Sequence, residues 1–288
     1  MDKKILCFGE ILWDSLPAGL FLGGAPLNVA SHLRRLGAEP IVVSAVGDDF
    51  LGEESLARIR KQDLAITDIA VVENTRTGVA KAELDADGNA NYHFPEPCAW
   101  DSILVEPALV LISQLDAIVF GTLAARSEHN EAALEAILEK DGPLKILDVN
   151  IRPPHFDRLA VSVLAQKADV IKLNDEELEL LSGMEVGEEA PEGPLQMLST
   201  ITGCRKICLT RGSAGAIFWD HGKMTLADAP QVDVRDTVGA GDAFTALVAL
   251  ALCNGKSADS FLSQACHLGA IVASHDGAVP YYDPGLFA

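Results

Sequence analysis

Asp236-Thr237-Val238-Gly239-Ala240-Gly241-Asp242-Ala243-Phe244, continued by an apolar run to Cys253 without Pro or Gly, decides how this chain is read. Gly239 and Gly241 permit a sharp turn and a close approach of the backbone to a ligand. The run that follows predicts a helix. Its first N–H groups point outward with the positive end of the helix dipole behind them, an arrangement suited to a phosphate. A carboxylate there would repel a phosphate. It fits if Asp242 instead faces a second reactant and takes the proton of a hydroxyl that attacks phosphorus. On spacing alone, a glycine-rich turn with Asp as a helix-start residue accounts for the stretch equally well.

The 288 residues suffice for one large α/β domain or two ordinary ones, and the 49% hydrophobic content is ample for a core. A formal charge of −20 argues against nucleic acid or an anionic membrane as partner. It does not exclude ATP, which is held locally. The N-terminal run Ile5–Phe8 is too short for a signal peptide, and Ala243–Cys253 falls well below the roughly 20 residues of a membrane span. With six scattered cysteines, the expectation is a cytoplasmic protein with reduced thiols.

Outward from the motif, Lys4–Phe8 predicts a buried strand, after which Gly9-Glu10-Ile11-Leu12-Trp13-Asp14 reads as a strand giving way to a loop. Asp14 could there bond a polyol or be an ordinary solvated acid. In Gly23-Gly24-Ala25-Pro26-Leu27-Asn28-Val29-Ala30, Pro26 opens a helix, Val29, Leu33 and Leu36 give it a buried face, and Gly37 ends it. Asn28 in its first turn can serve sugar hydroxyls, or the stretch is a tight turn and nothing more. Ile41–Val46 is a strand, and Asp49 caps the next helix. Ile69–Val72, Thr77–Leu84 and Ala90–Phe94 follow without intervening helices, with a hairpin signal at Asp85-Ala86-Asp87-Gly88. They suggest a β insertion serving as a lid, a dimer contact, or both. Beyond Trp100, strands at 117–120, 145–147, 170–173 and 206–210 alternate with helices, and polar clusters follow them. Strands at 216–219 and 224–227 precede the opening motif and a last helix near 260–273. This pattern predicts a doubly wound, mainly parallel sheet with ligands beyond the C-terminal strand ends.

The Gly23–Ala30 and Asp236–Phe244 stretches, with Asn174-x-x-Glu177 between them, resemble the signatures of the ribokinase-like (PfkB) sugar kinases, and the resemblance covers essentially the whole chain. It implies one α/β kinase domain over residues 1–288, with β lid insertions near 10–22 and 66–101. It implies that Asp242 is the base and that Gly239, Ala240 and Gly241 form the anion hole for the transferred group. Asp14, Gly23, Gly24, Asn28 and Arg152 would bind the sugar. Asn174, Thr210, Gly212, Gly215 and Gly241 would serve ATP, with Glu177 holding Mg²⁺ through water. Asp236, Val238 and Gly277 fall where relatives bind a monovalent cation such as K⁺. No Gly-x-x-x-x-Gly-Lys-[Ser/Thr] occurs, so a supporting cation must come from Mg²⁺, Arg152 or Arg211.

Within that family the chain looks most like the fructokinases. Gly-Glu-x-x-x-Asp at 9–14, the Asp148-Val149-Asn150-Ile151-Arg152 segment, Tyr92, Phe94 and Ala99-Trp100-Asp101 carry this likeness. The expected reaction is fructose to fructose 6-phosphate. The alternatives are a 2-keto-3-deoxygluconate kinase, whose acid would call on Arg76 or Arg126, and a ribokinase. A catalytically silent sugar-binding regulator is the alternative of another class, and a homodimer through the lid is the expected assembly. Cys204-x-x-x-Cys208 lacks a second ligand pair for zinc and reads as buried thiols.

Overall fold

The computed structural model describes residues 2–16, 19–84, 90–187 and 191–287. The predicted hairpin turn Asp85–Gly88 and the Tyr92 side chain lie outside the described residues. The chain opens with β1 (Lys4–Phe8), β2 (Leu12–Leu16), β3 (Gly19–Gly23), α1 (Ala25–Arg35), β4 (Glu39–Gly47) and α2 (Phe50–Lys61). There follow β5 (Ile69–Val72), β6 (Gly78–Leu84), β7 (Ala90–His93), α3 (Glu106–Leu111), β8 (Ala117–Gly121) and α4 (Glu128–Leu138). Next come β9 (Leu144–Asp148), α5 (Arg158–Gln166), β10 (Val170–Asn174), α6 (Asp175–Ser182) and α7 (Glu192–Thr202). The chain ends with β11 (Lys206–Thr210), β12 (Ala216–Asp220), β13 (Lys223–Ala227), α8 (Ala240–Cys253) and α9 (Ala258–Ala273).

Two sheets result. The large one has the order β13-β12-β11-β10-β9-β8-β1-β4-β5, parallel from β5 through β11 and antiparallel at β12 and β13. Strand alternation makes it two-faced. Leu6 and Phe8 of β1 enter the core shared with α4 to α7, whereas Ile5 and Cys7 enter the one shared with α1, α2 and α8. Both faces are therefore covered, as parallel strands require. The small sheet is β3-β2-β6-β7. It rests on its own apolar cluster, where Leu12, Ala80 and Phe94 meet Trp100 and Leu123 of the main body.

Two expectations are corrected here. Ile69–Val72 belongs to the large sheet, where it pairs with Ser44–Gly47 as the parallel edge strand β5. The small sheet thus draws on 12–23 and 78–93 rather than on all of 66–101. Asp14 sits in β2, opposite Phe21 of β3, and not in a loop.

Helix α8 has no polar stripe because neighbours surround it. Ala246 and Ala249 face the core under β1, whereas Ala243, Phe244, Leu247 and Val248 pack with α9 and β12. An all-apolar helix of this length is a buried one. Its first turn is thereby fixed at the C-terminal edge of the parallel strands.

Candidate active site

The site assembles around that first turn. Gly239 is the N-cap of α8, in the left-handed region at φ 81°, and no side chain caps the helix. A Cβ on Gly239 would lie 2.5 Å from Ala278, so the residue must be glycine for conformation and for space. The Ala240 N–H donates to the Thr237 carbonyl at 3.3 Å, and no side chain takes the other first-turn N–H groups. Gly241 also faces a charged side chain. A Cβ there would stand 2.9 Å from Nζ of Lys172, a residue of β10 that the sequence reading passed over.

Asp242 receives a hydrogen bond from Nδ2 of Asn28, 2.8 Å away and 214 positions earlier in the chain. The two glycine motifs therefore meet at one atom pair. Burial raises the Asp242 carboxyl to about 6, the negative charge of Asp148 adds to the rise, and Asn28, Lys172 and Arg152 oppose it. Asp14 is likewise raised to about 6, by burial against the pull of Arg152. Glu10, buried beneath the start of α1, rises to about 7 for the same first cause and accepts the Ala25 N–H at 3.1 Å. Asp242, Asp14 and Glu10 all feel Arg152, which joins them on the expected sugar side. Gly23 and Gly24 bring the chain past these acids. A side chain on Gly23 would meet Asp14 Oδ2 at 2.5 Å, and one on Gly24 would collide with the Glu10 carbonyl.

On the other side, Asn174 and Glu177 form a reciprocal capping box on α6, each side chain accepting the other's N–H, at 2.8 and 2.9 Å. The second Glu177 oxygen accepts the Ile151 N–H at 2.8 Å. The pair thus locks the end of β10 to the loop after β9. Among the described residues no group of three His, Cys, Asp or Glu is placed to hold a metal. Magnesium still fits, because it keeps most of its water and binds phosphate oxygens directly, and a carboxylate with two oxygens engaged retains lone pairs for a bridging water.

Thr210 ends β11 beside Asn174, and its hydroxyl donates to the Leu173 carbonyl at 3.3 Å. Gly212 and Gly215, both at positive φ, bound a short turn, and a side chain on Gly215 would run into Ala227. Asp236 collects its two expected companions, accepting the N–H of Val238 at 3.0 Å and of Gly277 at 3.4 Å.

Two arginines considered for the site serve elsewhere. Arg211 pairs with Asp175 at 3.1 Å and bonds the Gly187 carbonyl. Arg126 lies 3.7 Å over the Trp100 ring, pairs with Asp101 at 2.8 Å and donates to the carbonyls of Phe94 and Pro95. It clamps the exit of the small sheet and is not free to serve a sugar acid.

Lys172 is the functional candidate that sequence reasoning missed. Its Nζ lies 3.0 and 3.2 Å from the two oxygens of Asp148, and Thr245 of α8 donates to the same carboxylate at 2.8 Å. The only signal was a charged residue inside the apolar strand Val170–Leu173.

Residues 18–282 match the sequence model of the pfkB family carbohydrate kinases. The chain belongs to that family. A pfkB kinase is a sugar kinase, a phosphotransferase with an alcohol group as acceptor. This pfkB chain is 29% identical over 304 residues to a fructokinase of Salmonella typhimurium, covering 97% of this chain and 96% of the relative. In fold it is similar to a fructokinase with bound ATP from Xylella fastidiosa, with TM-score 0.82, 22% identity, and coverage of 97% and 94%. A fructokinase of Vibrio cholerae O395 with fructose, ADP and potassium ion bound gives TM-score 0.82 at 20% identity, covering 96% and 94%. The ribokinase-like architecture read from the motifs is the one observed.

Proposed function

We propose that this chain transfers the γ-phosphoryl group of ATP to fructose, giving fructose 6-phosphate. The observation that carries the reading is the Asn28–Asp242 hydrogen bond, which sets a base from the C-terminal motif against a polar amide from the N-terminal one, at an uncapped helix start. The sugar oxygen bonds to the γ-phosphorus as the bond to the ADP oxygen breaks, its electron pair leaving with ADP. Asp242 takes the hydroxyl proton. The N–H groups at Gly239 to Gly241 receive the charge on the transferred group, each such donor contributing roughly 2.7–4 kcal/mol. Asp14, Asn28 and Arg152 orient the sugar, with Gly23 and Gly24 making room. Asn174, Thr210, Gly212 and Gly215 line the nucleotide side.

Magnesium, when bound with the nucleotide, supplies charge neutralisation across the phosphates. Glu177 would hold it through water. Asp236 with Val238 and Gly277 would hold K⁺, as a carboxylate gathering two loop segments suits a cation. The small sheet closes over the sugar and offers its outer edge to a second copy of the chain. Fructose is favoured over 2-keto-3-deoxygluconate because Arg126 is buried in its clamp. A coupled ADP-release assay over fructose, ribose, 2-keto-3-deoxygluconate, fructose 6-phosphate and adenosine tests the assignment. Fructose is expected to give the highest kcat/KM. A better result with any other sugar reassigns the substrate, and no sugar-dependent turnover at all favours the silent regulator.

A further inference from the structure

The phosphate-binding lysine of the common nucleotide loop is missing from this sequence, Arg211 is paired with Asp175, and Arg152 lies among the acids of the expected sugar side. A fixed cation is nonetheless present at the start of α8. Lys172 projects from the third position of β10, its side chain 11% exposed. Its ammonium lies 2.9 Å from where a Cβ on residue 241 would stand. Asp148 takes two of its contacts, and that carboxylate is filled on its other side by Thr245. At least one of the three ammonium N–H donors therefore has no protein acceptor among the described residues. A buried charged donor without an acceptor is costly unless a ligand completes it.

We infer that Lys172 is a catalytic residue, whose ammonium, held by Asp148 and admitted by Gly241, donates to the phosphoryl group as it passes from ATP to the sugar. This rests on the kinase reading of the site. The bond changes are those already given, and Lys172 neither gains nor loses a proton; it places positive charge beside oxygens whose negative charge shifts in the transition state. The arrangement gives one motif two functions, since the glycine that opens the anion hole also makes room for the ammonium. The Asp148–Thr245 bond ties that lysine to the same helix turn as the base, so cation and base keep their spacing.

The test compares wild type with Lys172→Met and with the double variant Asp148→Asn/Lys172→Met. The double variant removes both buried charges together and so avoids leaving a lone carboxylate in the interior. Calorimetry measures ADP–Mg²⁺ binding with and without tetrafluoroaluminate, a mimic of the transferring group, and steady-state kinetics runs alongside. We expect ADP affinity and sugar KM to stay within about threefold, while fluoroaluminate-dependent tightening is lost and kcat falls on the order of 10²–10³-fold, as for loss of one anion-hole donor. A third variant, Lys172→Ala, should regain part of the rate when ethylammonium is added. Equal loss of ADP and fluoroaluminate complexes, or a double-variant kcat within threefold of wild type, overturns the role of the lysine. A wild type without sugar-dependent ADP release overturns instead the kinase reading beneath it.

Discussion

A carboxylate that must accept a proton is useful only when it is empty, and Asp242 holds its proton up to about 6. Activity should therefore rise tenfold per pH unit below that value and level off above it, so the acid limb of kcat/KM for the sugar is expected near pH 6. A limb near the ordinary Asp value of 3.8 would show that burial does not raise the Asp242 carboxyl in the working site. The same shift has a sign for stability. A carboxyl raised in the folded state binds more protons folded than unfolded between about 4 and 6, so stability falls as pH rises through that window and the deficit persists above it. Asp242→Asn removes the deficit. At pH 8 it should lower kcat by about 10²–10⁴-fold while stabilising the fold by roughly 1–3 kcal/mol, read from urea melts and sugar binding by calorimetry. A variant that is both slower and less stable would place the residue in the framework instead.

Elements carry the next layer, and here reading the chain succeeded unevenly. Helices α1 and α8 were legible because Pro26, Gly37 and the Gly239–Gly241 turn punctuate long apolar faces, and the parallel strands were legible as short apolar runs with polar ends. Ile69–Val72 was misassigned because four apolar residues state their burial but not their partner, and its pairing to β4 is non-local. The shift of Asp14 from loop to strand has the same cause, since only the pairing of β2 with β3 and β6 makes it a strand residue. Helices α3, α5 and α7 went unnamed, and Lys172 hid in its strand because the value of that ammonium depends on Asp148 and Gly241. The exit of the small sheet, by contrast, is tied down by a buried cation, Arg126. Arg126→Met leaves Asp101 buried and unpaired, and should cost about 3–5 kcal/mol in a urea melt. A loss below 1 kcal/mol would make the clamp incidental.

At the scale of the whole molecule, two sheets of unequal size meet at a small apolar cluster, so their relative movement disturbs little of the main core. Sugar binding should slow amide exchange in 12–16 and 78–84 far more than in β8 or β9, as mass spectrometry would read it. Equal protection in both sheets would mean that the small one does not close on the ligand. The large sheet also interleaves early and late segments, since β1 lies between β4 and β8 and the chain returns at α8 to cover it. Because the amide of Asn28 donates to a carboxylate found only at position 242, a growing polypeptide lacks the proposed reaction centre for most of its synthesis. In the proposed mechanism, competence waits until the chain has grown past residue 242. Prematurely terminated products are consequently inert, unable to consume ATP while they wait to be degraded.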